Sequence, residues 1–331
     1  MDIDSNVSGL DKDLPTVFHP AIRPPGIKSQ ISMIPGMMVF HRLVKNFRYW
    51  TRSRSGTVGG IKRAQMSVEE AVSYTQSIFQ KIDPLIRNNG GWKDKKILEI
   101  GPGDSLGTGL WCLGAGAESY TAIDRFAVDL NQEFEADVLT SIKSKLGSNG
   151  KNLCSDALQI GSGDSPYSGR IQYRNDLPIE SAPNILGRSG FDIIFSNAVL
   201  EHVENLEATL SAMNDLLADG GLMFHDVDLR SHQTFENHPL QFLEYPRPLW
   251  HLMSSNNGEP NRARMPRYLN ILEALSFENI ETTITQIFEI DMVKSRHRSL
   301  ASEFRNLPVN DLLPAVFCFT CRKPEGSPRI D

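Results

Sequence analysis

The residues best placed for chemistry gather at one turn. Glu99, Gly101, Gly103 and Gly107 lie in LEIGPGDSLG, directly after the short apolar run KKIL. Glycines there let the backbone bend sharply and approach a ligand closely. The helix that follows would point its positive N-terminus into the same crevice. Asp124 ends the next apolar run, SYTAID, 25 residues beyond Glu99. A carboxylate at that place can accept both hydroxyls of a ribose. A glycine-rich turn alone is a weak signal. Together with Asp124 it fits either a dinucleotide or a nucleoside such as S-adenosylmethionine. The spacing G-x-G-x-x-x-G is one residue longer than the dinucleotide fingerprint. Glu99 would repel a pyrophosphate and favour a sulfonium carrying an amino-acid tail. Both details favour the nucleoside.

A second group is rich in histidine. Five of the eight histidines fall between residues 202 and 251: His202, His225, His232, His238 and His251. Histidine exchanges protons near neutral pH and suits the removal of a proton from a hydroxyl. His202 lies in the text LEHV; His225 and Asp226 end the run GLMFHD, and Asp228 follows. His202, His225, Asp226 and Asp228 are therefore the candidate catalytic residues, with a backbone-bonded helix-start role as the alternative for His202. His225, Asp226, Asp228 and His232 have types that can hold a divalent ion. Their spacing matches no metal signature, so no metal is expected. Cys318 and Cys321, in CFTC, lack a second pair of ligands and read as buried small residues on opposite faces of a strand.

The elements that must carry these residues follow from periodicity. Ser67 and Glu70 have capping-box spacing at the start of a helix that runs to Asn88-Asn89-Gly90-Gly91. Apolar runs near 96–100, 119–126, 170–178, 191–197, 221–229, 279–290 and 315–323 read as strands, most of them separated by helical patterns. Such alternation specifies an α/β fold with a doubly wound sheet. Residues 229–265 interrupt the pattern and are dense in aromatics (Phe235, Phe242, Tyr245, Trp250). They read as a substrate-side insertion.

The glycine turn, Asp124 and the stretch DIIFSNAVLEHVENLEATLSAMNDLLADGGLM (192–223) together resemble the class I S-adenosylmethionine-dependent methyltransferases, in particular their small-molecule group with LEHV-type text. The resemblance covers roughly residues 92–323 and is strongest at 96–126 and 190–228. It implies a Rossmann-like sheet of seven strands with the last antiparallel, and S-adenosylmethionine as cofactor. It implies that Glu99, Gly101 and Gly103 line the methionine part and that Asp124 binds the ribose. Asn197 would lie under the cofactor. An acid after the third strand would lie near the adenine; Asp176 is the nearest match and Asp156 competes with it. The His-Asp strand end followed by Asn261, Arg262 and Arg264 is also similar to methyltransferases of sugar and polysaccharide biosynthesis. The implied reaction is O-methylation of a small-molecule or saccharide hydroxyl by in-line displacement. A methyltransferase-like scaffold without activity and a nicotinamide-dependent oxidoreductase are the alternatives.

Composition bounds the rest. The chain has 331 residues, 40% hydrophobic and 22% charged, an ordinary globular balance. No apolar run approaches the roughly 18 residues of a membrane span. The acidic start MDIDSNVSGLDKD does not read as a secretory signal, and four cysteines do not make a disulfide scaffold. A cytoplasmic protein is expected. Charge is uneven: Leu14 to Val68 holds nine Arg and Lys and no acid, which leaves −15 on the remainder of a chain whose net charge is −6. Residues 1–66 read as an irregular basic arm with one amphipathic helix at 37–54, and residues 67–331 as the methyltransferase domain. In that helix Phe40, Leu43, Val44 and Phe47 form one apolar stripe. It either packs on the body or makes peripheral contact with an anionic membrane. No aromatic-basic platform marks a nucleic-acid binder, and no nucleic-acid partner is expected.

Overall fold

The computed structural model describes residues 35–51, 66–126, 131–154, 169–232, 238–255 and 258–326. Residues 1–34 and 52–65 of the basic arm, Asp156 and Phe235 lie outside them. Among the described residues no helix is long and apolar enough to cross a membrane.

Seven strands form one sheet in the order β3-β2-β1-β4-β5-β7-β6. They are β1 (Lys96–Ile100), β2 (Ser119–Ile123), β3 (Ile171–Arg174), β4 (Phe191–Asn197), β5 (Leu217–Asp228), β6 (Glu278–Ile287) and β7 (Pro314–Arg322). All seven fall where the apolar runs placed them. Strands β1 to β5 pair in parallel, whereas β7 runs antiparallel to both neighbours, β5 and β6. The central strands do not alternate as a water-facing sheet would; Ile97, Leu98 and Ile100 are all buried, because helices cover both faces there. On one face Ile97, Tyr120, Ala122, Ile193, Phe195 and Phe224 meet a long helix α2 (Val68–Asn88), α3 (Gly107–Ala115) and α4 (Gln132–Lys145). On the other, Leu98, Ile100, Ile194, Met223, Phe317 and Phe319 meet α5 (Leu206–Leu216) and α7 (Met265–Ala274). Cys318 borders the first core and Cys321 lies in the second, both as free thiols.

The predicted capping box holds α2: Ser67 Oγ accepts from the Glu70 amide at 3.2 Å, and the Glu70 carboxylate accepts from the Ser67 amide at 2.8 Å. The chain runs from β1 outward to β3, then returns to place β4 on the other side of β1. Loops leaving the carboxyl ends of β1 and β4 therefore diverge, and a crevice opens at that reversal.

Beyond β5 the chain builds a third core. Leu240, Phe242, Trp250 and Met253 pack with Phe288, Val293, Phe304 and Leu312. Phe242 and Trp250 of the aromatic insertion are thus core residues. Trp250, on α6 (Arg247–Ser254), also receives the N-terminal helix α1 (Pro35–Thr51).

Helix α1 docks on the body, but only part of the expected apolar stripe faces it: Leu43 packs against the third core. Phe40 and Phe47 point outward, 70% and 60% exposed, while Arg42 and Asn46 are buried. The reason is a partner that periodicity cannot see. Arg42 has no exposure, pairs with Glu259 at 3.2 Å and lies 4.8 Å above the Trp250 ring. Lys45 reaches the same Glu259 at 3.2 Å, and Asn46 donates to Leu252 O at 2.8 Å. Part of the basic excess is thereby spent on the acidic body. Breaking a buried ion pair costs about 3–5 kcal/mol, and Lys45 keeps the figure at the low end here. Arg42→Ala should therefore raise hydrogen exchange of the α1 amides at least about tenfold while the sheet stays protected. Unchanged exchange in α1 would show that the ion pair does not hold the helix.

Candidate active site

The glycine turn is shaped by what lies against it. Gly101 and Gly103 have φ of +68° and +72°, a region L side chains rarely adopt. A Cβ on Gly101 would also sit 2.6 Å from Val199 Cγ2, in the turn after β4. The Gly101 amide donates to Ile123 O at 2.8 Å, tying the turn to the end of β2. From α4, Glu135 accepts the Leu106 amide at 2.7 Å. At Gly107 a Cβ would meet Ile142 at 2.8 Å and Thr75 at 3.0 Å, so this glycine lets α3 pack closely on α2 and α4.

Acidic groups converge at the same edge. Glu99 is buried and accepts from the Tyr120 hydroxyl; burial, then Glu99, push the Cys112 thiol up. Asp124 accepts from the Phe126 amide at 2.9 Å. Burial pushes its carboxyl above the usual range, against the pull of the Phe126 and Gly103 amides. Burial, then Asp124 and Asp104, push the Tyr173 hydroxyl up as well. Asp104, Asp124 and Tyr173 thus share the carboxyl ends of β1 to β3. Asp176 is exposed in the turn after β3, with φ +55°. That turn is tied back to Asp124, because the Leu177 amide donates to Asp124 O at 2.8 Å.

The ends of β4 and β5 split the second group of residues. Asn197 and Asp226 share one cation, Lys81 of α2, which donates to Asn197 Oδ1 at 2.9 Å and pairs with Asp226. His225 faces the other way. It is fully buried, bonded through Nδ1 to Ser196 Oγ at 2.7 Å and packed 5.1 Å from the Phe319 ring. Burial alone lowers its pKa to about 3. The structure therefore removes His225 from the other three catalytic candidates and places it in the core. Asp228 is held by Arg230, at 2.8 Å from Nε and 2.7 Å from Nη2. His202 Nδ1 donates to Gly258 O at 2.6 Å, and its ring lies edge-on to His232, 4.7 Å away. Burial and the His232 ring lower the pKa of His202 to about 4. Burial lowers His232 too, against the pull of Asp228. Both imidazoles are neutral at pH 7.

Arg262 and Arg264 are 5% and 3% exposed. Arg262 pairs with Glu303 at 2.8 Å, and Arg264 donates to Leu229 O and Pro314 O at 2.8 and 2.9 Å. Both guanidiniums are engaged by groups of the protein itself. Asn261 instead ties down the LEHV turn: its amide group donates to Leu200 O at 2.7 Å and Val203 O at 3.2 Å.

With this geometry in place, sequence comparison is decisive. The profile of a family described as "Methyltransferase domain" matches residues 74–282. The chain belongs to the methyltransferase-domain family. No curated protein matches it at the sequence level. Solved structures that the chain matches include the carbon methyltransferase CurJ, at 15% identity and TM-score 0.41, covering 90% of this chain and 70% of that one. An S-adenosylmethionine-dependent methyltransferase from Mesorhizobium loti shares 14% identity at TM-score 0.39, over 72% of this chain and 96% of the other. Phosphoethanolamine N-methyltransferase 2 of Haemonchus contortus shares 10% identity at TM-score 0.42, over 92% of this chain and 61% of the other.

The sequence reading of this methyltransferase missed Lys81, Glu201, Arg230 and the role of Asn261. Glu201 had one visible signal, an acid beside His202 in a turn. Lys81 had none, since a lysine on an amphipathic helix ordinarily faces water.

The core position of His225 has a pH consequence. A histidine that stays neutral when folded but binds a proton near pH 6.5 when unfolded leaves stability intact above that pH. Stability then falls as the pH drops from about 6.5 toward 3. The loss from this one residue reaches about 2 kcal/mol at pH 5. Urea unfolding at pH 7 and pH 5 should show His225→Asn losing that much less than the wild type. Parallel losses would mean that His225 titrates normally.

Proposed function

We propose that this methyltransferase, whose methyl donor is S-adenosylmethionine, delivers the methyl group to a hydroxyl oxygen of a small molecule or saccharide. One observation carries the donor site: the Gly101–Gly103 turn and the Asp124 carboxylate meet across the ends of adjacent strands, with the Gly103 amide favouring ionised Asp124. The residues present fit the donor. The side-chain-free turn admits the methionine part closely, Glu99 supplies negative charge beneath it, and Asp124 offers acceptor oxygens for a ribose. Bound there, S-adenosylmethionine supplies a methyl carbon made electrophilic by its sulfonium. Asp176 is exposed at the rim and is the remaining candidate for the adenine side.

An acceptor must be held with its nucleophile aligned and its proton removed. His202, Asp228 and His232 come together where β4 and β5 end. A neutral imidazole can take a proton that a hydroxyl gives up, and this supports oxygen as the nucleophile. Asn197 lies one strand from the glycine turn and is held by Lys81, so it borders both halves of the site. Calorimetry with S-adenosylhomocysteine should show micromolar binding to the wild type and none to Asp124→Ala; equal affinity in both would overturn the donor site. Incubation with methyl-tritiated donor and a panel of polyols and saccharides should give an alkali-stable methyl ether. Label appearing only in methylamine or carbon-methyl products would overturn the choice of oxygen.

A further inference from the structure

Three side chains that no step above requires together meet beside the crevice. Glu201 and His202 come from the short turn Leu200–His202 after β4, and His232 from the segment after β5. Each offers one ligand atom, and the three atoms lie within 4.8 Å of one another. Two further observations point to a ligand. Glu201 is 1% exposed, and neither of its carboxylate oxygens has a hydrogen-bond partner. The neighbouring acid, Asp228, is already matched by Arg230. Burial, then Asp228, hold the Glu201 carboxyl well above the ordinary carboxylate range, so it carries a proton that a bound cation would displace. Buried carboxylates are ordinarily paired or bound to metal. His202 donates from Nδ1 to the Gly258 carbonyl at 2.6 Å. That bond puts the proton on Nδ1 and the lone pair on Nε2, the arrangement metal-binding histidines adopt.

We propose that Glu201, His202 and His232 form a site for a first-row transition dication of the Zn²⁺ type. Two imidazoles and a single carboxylate suit Zn²⁺ or Co²⁺; Mg²⁺ and Ca²⁺ prefer oxygen alone. Zn–N bonds of about 2.0–2.1 Å require tetrahedral ligand atoms roughly 3.3 Å apart. Closing the present gap requires the His232 and Glu201 side chains to rotate toward His202. The Glu201–His202 backbone is already fixed, because Asn261 donates to the carbonyls of Leu200, Glu201 and Val203. Three protein ligands leave one position open. A hydroxyl oxygen entering it would lose its proton more readily, which makes it the better nucleophile; with both imidazoles on the metal, that proton passes to the Asp228 carboxylate, 4.0 Å from His232 Nε2. That use rests on the function proposed above; the existence of the site does not.

The test uses untagged, full-length protein freed of metal with a chelator. Co²⁺ titration at neutral pH, without donor or acceptor, should produce visible ligand-field absorption that saturates at one equivalent and disappears when Zn²⁺ is added. His232→Ala and Glu201→Gln should each weaken Co²⁺ binding by about 10-fold or more. His232 is only partly buried, so His232→Ala decides if Glu201→Gln fails to fold, as read by circular dichroism. No absorption with folded protein, or equal Co²⁺ affinity in His232→Ala, would overturn the site. S-adenosylhomocysteine binding is measured on the same metal-free samples. Its loss with Co²⁺ binding retained would strike the donor reading alone, and the reverse result would strike the metal site alone.

Discussion

At Gly101 the chain must turn with a positive φ while its α-carbon passes so near Val199 that a Cβ would lie 2.6 Å from that side chain. The close approach brings the loop after β1 against the turn after β4, and much of the site follows from it. With Gly101 seated, its amide pairs with the end of β2, which brings Asp124 level with the turn. With Val199 seated, the next residues, Leu200 to His202, wind into the short turn that carries Glu201 and His202. A single missing side chain thus sets the spacing between the two halves of the crevice. The order of strands decides the side on which that crevice opens.

The second organising theme is the use of cations inside the protein. Arg42, Arg262 and Arg264 are all nearly inaccessible. Each is spent on a deep acid, on carbonyl oxygens or on an aromatic ring. Arginine suits such places because its planar guanidinium stacks on rings and reaches several acceptors at once. Trp250 carries two of these guanidiniums, Arg42 at 4.8 Å and Arg262 at 5.4 Å. It is the hub that joins the N-terminal helix, the segment after β5 and the helices near residue 304.

Local signals were legible in the sequence, and distant pairings were not. The seven strands, the capping box at Ser67, the glycine turn and Asp124 each announce themselves within a few residues. The face of α1 was misread because a period-3.6 pattern assigns Phe40 and Phe47 inward. Nothing nearby reveals that Arg42 has Glu259, 217 residues away, as its partner. The same limit hid Lys81 between Asn197 and Asp226, and hid the meeting of His232 with the LEHV turn. His225 shows the opposite error. It lies near the carboxyl end of β5, but strand alternation turns its ring away from the Asp226 side and into the core. Residue type suggested a base where geometry put a packing residue.

The placement of β7 bears on how the chain is made. This last strand is inserted between β5 and β6, both of which precede it in the sequence. Until residues 314–322 leave the ribosome, β5 presents a bare hydrogen-bonding edge, and β6 has no neighbour at all. An open edge of this kind invites pairing with other nascent chains. Sealing the sheet is therefore deferred until β7 has followed β6 out, and the edge of β5 stays open to other chains until then.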